Sequence, residues 1–208
     1  PKGYRDEFSK NENYYDTFRQ VMDKGRKALD YDRKRKEYAN QTGPVRRGVG
    51  MALFWYNTAV WPISLESSSC RMVLNQDGSI QVQTGETEIG QGCDTVMTMI
   101  VAEELGLNMN EVKCVQSDTT TTPWDAGSFG SRVTFLGGNA CHHAVGDAKL
   151  KLLKHWAEEW GCKPQDIKMA DHRVFIPGDA EKNISFNEAC FGYEEKNFGR
   201  CVAGVGAY

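Results

Sequence analysis

Apolar and polar positions alternate through SCRMVLNQDGSIQVQTG, residues 69–85. Cys70, Met72 and Leu74 fall on one face of an extended chain, Arg71 and Val73 on the other, and Ile80 and Val82 resume the alternation beyond Asp77-Gly78. A period of two on both sides of an Asp-Gly pair predicts a β-hairpin. Past residue 92 the spacing becomes helical: Val96, Met99, Ile100 and Glu103 define one side, and Gly106 is placed to end the helix. EVKCVQSD at 111–118 returns to a strand pattern. From 133 to 160, Leu136, Ala140, Ala144, Ala148, Leu152 and Trp156 recur every fourth residue, which predicts a long helix stopped by Gly161. Its first half is built from Gly137, Gly138, Ala140 and Ala144, so another element must pack closely there. IKMADHRVFIPGD at 167–179 predicts a strand pair, and a short helix follows near 185–191.

The first part of the chain reads differently. Residues 5–42 are charged with a sparse stripe of Phe18, Val21, Met22 and Leu29, the spacing of an amphipathic helix. DYDRKRKEY at 30–38 is its solvated end, because acids interleave with the bases. Thr42-Gly43-Pro44 breaks the pattern and divides the chain into a charged helical segment, 1–43, and a second domain, 44–208. GVGMALFWYNTAV at 48–60 reads as a strand whose glycines permit close backbone approach. Hairpin, helix, strand, helix and strand pair in that order imply an α+β class, with layered mixed sheets and helices packed on them.

Composition narrows the function classes. The 208 residues are 40% hydrophobic and 25% charged, an ordinary globular balance. A net charge of −3 leaves no basic footprint, so nucleic acid is not an expected partner. No run of 18 apolar residues offers a membrane span. The start at Pro1 lacks a secretory leader pattern; with the abrupt end at GVGAY, it leads us to expect an internal piece of a longer chain. The seven cysteines, 70, 93, 114, 141, 162, 190 and 201, are odd in number and form no C-x-x-C pair. They fit reduced thiols in a cytoplasmic protein better than a disulfide frame or a zinc site, and the sequons at Asn40 and Asn183 are discounted accordingly.

The candidate chemistry lies in two loops that precede helices. In GETEIGQGCDTV, residues 85–96, Gly90 and Gly92 flank Gln91 at a helix start. Backbone N–H groups there lack intrahelical partners, glycines admit a ligand close to them, and the helix dipole favours an anion. The Gln91 amide adds one donor and one acceptor group able to grip a heterocycle or an oxo group. A glycine-rich turn with a solvent-facing Gln accounts for the same residues. DAGSFGS at 125–131 likewise fronts a helix with small residues; it is neither a P-loop nor a G-x-S-x-G elbow. Phe129 reads either as a ligand contact or as a half-buried loop aromatic, and Arg132 as a site residue or a surface or salt-bridged one. His142 and His143 are adjacent on a helix and cannot chelate as an i, i+4 pair would; His155 and His172 stand alone. Glu86 and Glu88 read as solvated strand-end carboxylates. Phe54, Tyr56 and Trp61, in the aromatic run from Phe54 to Trp61, read as core or interface or as the wall of a flat substrate's channel.

TGETEIGQGCDTV, AEELGL and SDTTTTPWDAGSFGSRVTFLGGNA, in that order and spacing, resemble the large molybdopterin-binding subunit of the molybdenum hydroxylases, the xanthine dehydrogenase and aldehyde oxidase family with its 4-hydroxybenzoyl-CoA reductase branch. The likeness runs from about Arg46 to Ala148. It implies that Gly90, Gln91 and Gly92 contact the molybdopterin cofactor, with Gln91 beside the metal's oxo ligand and in that sense catalytic. It implies that Phe129, Gly130 and Ser131 form the second cofactor loop, and that no residue of this chain ligates the metal directly. The cofactor would be molybdopterin carrying molybdenum, as such or as its cytosine dinucleotide. Family members hydroxylate an electron-poor carbon of an aldehyde or N-heterocycle with a carboxylate as general base. They pass electrons to 2Fe-2S clusters and usually FAD, on the same chain or on partner subunits. The resemblance therefore also implies partners: the remainder of the large subunit, iron–sulfur and FAD subunits or domains, and a small aromatic, purine or aldehyde substrate. The family's catalytic glutamate lies in a Gly-x-Gly-Glu motif, and Gly204-Val-Gly-Ala-Tyr208 is not that motif. This stretch alone is thus expected to be inactive.

Overall fold

The computed structural model describes residues 3, 5, 7, 12, 16–54, 56, 58, 59, 66–115 and 117–208. They form two compact units, 1–56 and 57–208.

In the first unit, α1 (Thr17–Ala28) and α2 (Tyr31–Glu37) replace the single amphipathic helix, because Asp30 adopts a left-handed conformation, φ 49°, between them. Neither helix buries a residue, and Phe18, Val21 and Leu29 are exposed. The strand expected over 48–60 is not formed: its described residues pair with no strand. A strand needs a ladder partner for its backbone groups. Just upstream of that segment, the Arg47 N–H bonds instead to Oε1 of Gln41 at 2.8 Å.

The second unit contains β1 (Ser69–Leu74), β2 (Ile80–Thr84), α3 (Cys93–Leu105), β3 (Val112–Val115), α4 (Gly138–Trp160), β4 (Lys168–Ala170), β5 (Arg173–Phe175), β6 (Asn183–Ser185), α5 (Phe186–Lys196) and β7 (Val202–Ala207). The expected hairpin is present: β1 pairs antiparallel with β2, Cys70 opposite Thr84 and Leu74 opposite Ile80. Its inward set, Cys70, Met72, Leu74, Ile80, Val82 and Thr84, is buried. β3 joins β2 in parallel and β7 joins β1 antiparallel, giving a mixed sheet in the order β3-β2-β1-β7. A second, antiparallel sheet runs β4-β5-β6. Asp171 and His172 turn β4 into β5 with φ of 50° and 61°, the two positive values a two-residue hairpin loop requires.

Helices α3 and α4 cover the four-stranded sheet. The side of α3 marked by Val96, Met99, Ile100 and Glu103 is the outer one. Cys93, Met97, Val101 and Leu105 face the core. The helix ends as expected at Gly106, φ 68°. α4 buries Ala140, Ala144, Ala148 and Leu152, and a π-helical turn, Val133–Gly137, precedes it.

The close partner of α4's small half is β7. A β-carbon on Gly204 would lie 2.1 Å from the Ala144 carbonyl oxygen, and one on Gly206 would lie 2.2 Å from that of Ala140. Only glycine lets the strand backbone approach so near. α4 also occupies β7's outer edge: Lys151 Nζ donates to the Ala203 carbonyl at 2.8 Å, and the Val205 N–H donates to Asp147 at 3.0 Å.

Candidate functional site

β2 ends at Thr84, and at the next residue, Gly85, nothing larger than glycine fits. A β-carbon there would meet the Pro123 carbonyl at 2.3 Å and the Asp125 side chain at 2.7 Å. That contact brings the first loop, 85–92, against the second, 123–131. Between them Ser128 Oγ donates to the Thr87 carbonyl at 2.5 Å, and Gln91 Nε2 lies 3.5 Å from Ser128 Oγ. The two helix-fronting loops thus meet on one side of the unit.

Gln91 is exposed, yet its amide is engaged within its own loop. Nε2 donates to the Thr87 carbonyl at 2.9 Å, and Oε1 accepts the Ile89 N–H at 2.6 Å. The anion seat at the start of α3 differs from expectation: Glu88 fills it. Its carboxylate accepts the N–H groups of Gly90 at 2.7 Å, Gly92 at 3.0 Å and Asp94 at 3.3 Å. Gly92's N–H holds Glu88 below the ordinary carboxylate range. The motif supplied its own anion because a Glu lies two residues before the first glycine. Glu88, Cys93 and Asp94 place three donor atoms within 4.8 Å of one another. Glu88 is spent on three backbone donors and the Cys93 thiol turns to the Glu86 carbonyl, so the set acts as a helix cap.

Gly90 and Gly92 have φ of 94° and 84°, and a β-carbon on either would find nothing within 4 Å. Open space therefore adjoins the first loop. In the second loop Gly130 is buried, with its carbonyl accepting the Ala59 N–H at 2.6 Å, and Ser131 is exposed with φ 54°. Phe129 is half-buried, its ring 5.8 Å from the Arg132 guanidinium carbon. Phe54 is 89% and Tyr56 59% exposed, and both belong to the first unit. Trp61 lies outside the described residues.

Under the loops lies a charged cluster. Glu86 is fully buried rather than solvated, and Arg132 is buried rather than on the surface. Arg132 Nη1 donates to Asp125 at 2.7 Å and to the Gly127 carbonyl at 2.9 Å, and Nη2 donates to the Ser67 carbonyl. Period-two and period-four patterns do not mark such residues. The available signal was the pair of glycines, Gly85 and Gly137, that make room: a β-carbon on Gly137 would lie 2.5 Å from Glu86 Oε1. The histidines stand apart from the two loops: His155 is half-buried, its ring 5.4 Å from that of Trp156 and 5.1 Å from that of Tyr193. His142 Nδ1 lies 2.5 Å from Glu104, His143 Nδ1 lies 2.7 Å from the Ala207 carbonyl, and His172 Nε2 lies 2.7 Å from Glu111.

Residues 24–200 match the family described as the molybdopterin cofactor-binding domain. The chain is 42% identical over 139 residues to the xanthine dehydrogenase molybdenum-binding subunit of Escherichia coli O157:H7, covering 66% of this chain and 18% of that protein. It is 26% identical over 181 residues to the carbon monoxide dehydrogenase large chain of Hydrogenophaga pseudoflava, covering 82% of this chain and 22% of that one. In fold it is similar to quinoline 2-oxidoreductase from Pseudomonas putida 86, with a TM-score of 0.65 at 15% identity over 99% of this chain and 28% of that structure. The chain spans about a fifth of the length of the curated relatives it matches.

Proposed function

From the premise that this chain belongs to the molybdopterin cofactor-binding domain family, we propose that its two converging loops form part of the cofactor's seat in an oxidoreductase of the xanthine dehydrogenase type. The observation that supports the reading is the meeting of Gln91 and Ser128, which brings the loop carrying Gly90 and Gly92 beside the loop that continues into Phe129–Ser131. The residues fit the group. Gly90 and Gly92 leave space beside their backbone for a flat ligand, with both N–H groups already held by Glu88, and in the second loop Ser131 is exposed and Phe129 half-buried. Gly90, Gln91, Gly92, Phe129, Gly130 and Ser131 would hold the cofactor. When bound, molybdopterin supplies a molybdenum centre for two-electron oxidation of an electron-poor carbon.

This chain's residues orient and enclose. Glu88 fixes three N–H groups at the start of α3, which sets the course of the first loop. Gln91 and Ser128 tie that loop to the second. Because both polar groups of the Gln91 amide are already bonded inside the protein, its first role in this reading is to hold the seat's shape. A place beside the metal's oxo ligand is a second role that the same exposed position permits.

A purine-like heterocycle is the proposed substrate class of the complete protein, on the strength of the likeness to the xanthine dehydrogenase subunit. Aldehydes and aromatic thioesters are the next classes. The proposed partners are the rest of a large subunit and iron–sulfur and FAD subunits or domains that take the electrons. Seven free thiols suit a reducing, cytoplasmic setting, and no helix among the described residues is long and apolar enough to cross a membrane.

The test is the molybdenum and pterin content of the intact protein, with turnover on purines, aldehydes and aromatic thioesters. Metal, pterin and purine oxidation together support the reading. Metal and pterin with only aldehyde or thioester turnover move the substrate class. Absence of both metal and pterin leaves a non-catalytic binding module.

A further inference from the structure

We propose that Glu86 is carried as the neutral acid, shares its proton with Asp125, and with Arg132 forms the positioning device that fixes the second loop, 125–131, against the sheet.

The donor arrangement leads there. The side chains of Glu86, Asp125 and Arg132 are all inaccessible to solvent. Fully ionised, they would seal one uncompensated negative charge in the interior, which is costly. Asp125 Oδ1 accepts from Arg132 Nη1 at 2.7 Å and from the Gly127 N–H at 2.7 Å. Among the described residues Glu86 Oε1 accepts only from the Ser68 hydroxyl, at 2.8 Å, and Arg132 Nη1 stays 3.7 Å from Glu86 Oε2, beyond a direct hydrogen bond. Glu86 Oε2 and Asp125 Oδ2, like Arg132 Nε, are buried without a partner among the described residues, and the two carboxyl groups flank the same Arg132 Nη1, at 3.7 Å and 2.7 Å. Two carboxyl oxygens can bond to each other only if one carries a proton. A single proton therefore satisfies both atoms and removes the excess charge. It belongs on Glu86, since Asp125 holds the guanidinium and the backbone donor.

The surroundings agree. Burial pushes Glu86 up to about 7; the Ser68 hydroxyl opposes the shift, the Asp125 charge adds to it and Arg132 opposes it. From α4, the Glu86 charge acts on the Cys141 thiol and helps push its titration up, and from α3 the Cys93 thiol donates to the Glu86 backbone carbonyl at 4.0 Å. Gly137 closes the remaining side. So held, Arg132 grips the loop at the Gly127 carbonyl and lies against Phe129. The functional meaning of the device rests on the cofactor reading of 129–131; the shared proton and the fixed loop do not.

Folded Glu86 binds its proton more tightly than the ordinary value of 4.5, so its stabilisation is complete below about 4.5 and is lost as pH rises through about 7. The test is hydrogen exchange of segment 125–132 in the intact protein across that range, corrected for intrinsic exchange, with the infrared band of a protonated carboxylic acid as a second readout. Opening of the segment in the wild type is expected to rise by up to about tenfold per pH unit and then level off above the folded value. Glu86→Gln keeps an acceptor for Ser68 and a donor for Asp125. It should stay protected at every pH and lose an acid band that the wild type shows. Glu86→Ala should lose protection throughout. A pH-independent wild type, no acid band, or a Glu86→Gln variant as open as Glu86→Ala overturns the proposal. A protein that lacks pterin yet shows the pH-dependent opening keeps the proton pair and loses only the cofactor reading.

Discussion

Gln91 Nε2 lies 3.5 Å from the hydroxyl of Ser128, and that hydroxyl donates to the same Thr87 carbonyl that Gln91 holds. One backbone oxygen thus serves as the joint between two loops 37 residues apart in sequence. Each loop fronts a helix, so the joint sets how two helix beginnings face the same space.

Replacing Gln91 by Ala removes the amide from that joint and leaves the core untouched. On the cofactor reading proposed above, turnover of the complete protein is expected to fall by about a hundredfold or more, the usual loss for one positioned donor. Turnover per bound molybdenum separates the two roles. Reduced metal and pterin content with normal turnover per metal indicates that the side chain holds the seat. Normal content with slow turnover indicates action at the metal. Wild-type values of both remove Gln91 from the site.

Glu88 sets a pH dependence opposite in sense to that of Glu86. Its carboxylate is held below the ordinary value of 4.5, first by the Gly92 N–H and also by those of Gly90 and Asp94, against some opposition from burial. Its contribution is present above that ordinary value and disappears as pH falls through the lower folded value. Protection of the Gly90, Gly92 and Asp94 amides, corrected for intrinsic exchange, should therefore fall on acidification. Glu88→Gln should exchange faster at neutral pH and show no acid step; an unchanged acid step in that variant would assign the effect elsewhere.

Gly204→Ala and Gly206→Ala each drive a methyl group into a carbonyl oxygen of α4, at 2.1 Å and 2.2 Å. Overpacking of this kind costs about 1–3 kcal/mol or more. Lower denaturant midpoints for both are expected, against Gly178→Ala as a control. A β-carbon at Gly178 meets nothing within 4 Å, though its φ of 84° carries a backbone strain of its own.

Ser185 caps α5 through a capping box, its hydroxyl accepting the Glu188 N–H at 3.4 Å while Glu188 accepts the Ser185 N–H at 2.8 Å. Ser185→Ala should cost about 1 kcal/mol without changing cofactor content, which makes it a stability control for the loop variants.

The residues that set local periodicity were readable from the chain. Alternation across Asp77-Gly78 placed the β1–β2 hairpin in register, fourfold recurrence of Leu136, Ala140, Ala144, Ala148 and Leu152 placed α4, and Gly106 and Gly161 marked helix ends, because each signal depends on neighbours within a few positions. The short side chains of α4 even required a close partner. That the partner is β7, whose glycines looked like an unmatched terminal motif, follows only from the pairing of residues 69–74 with 202–207. The aromatic run 48–60 carried strand-like composition, but a strand exists only where another offers hydrogen bonds, and no described residue pairs with it. Glu86 and Arg132 show the same divide. Their residue types favour solvent, and only the close approach of Gly85 to Pro123 and of Gly137 to Glu86 encloses them. The sequence by itself determined the β1–β2 hairpin, helices α3 and α4 with their glycine ends, and the two glycine-rich loops, since backbone conformation and amphipathic spacing are local. Tertiary structure alone decided that the loops meet and that three ionisable groups share one buried space, since both depend on groups brought together across tens of residues, and the local backbone path decided that Glu88 fills the first anion seat.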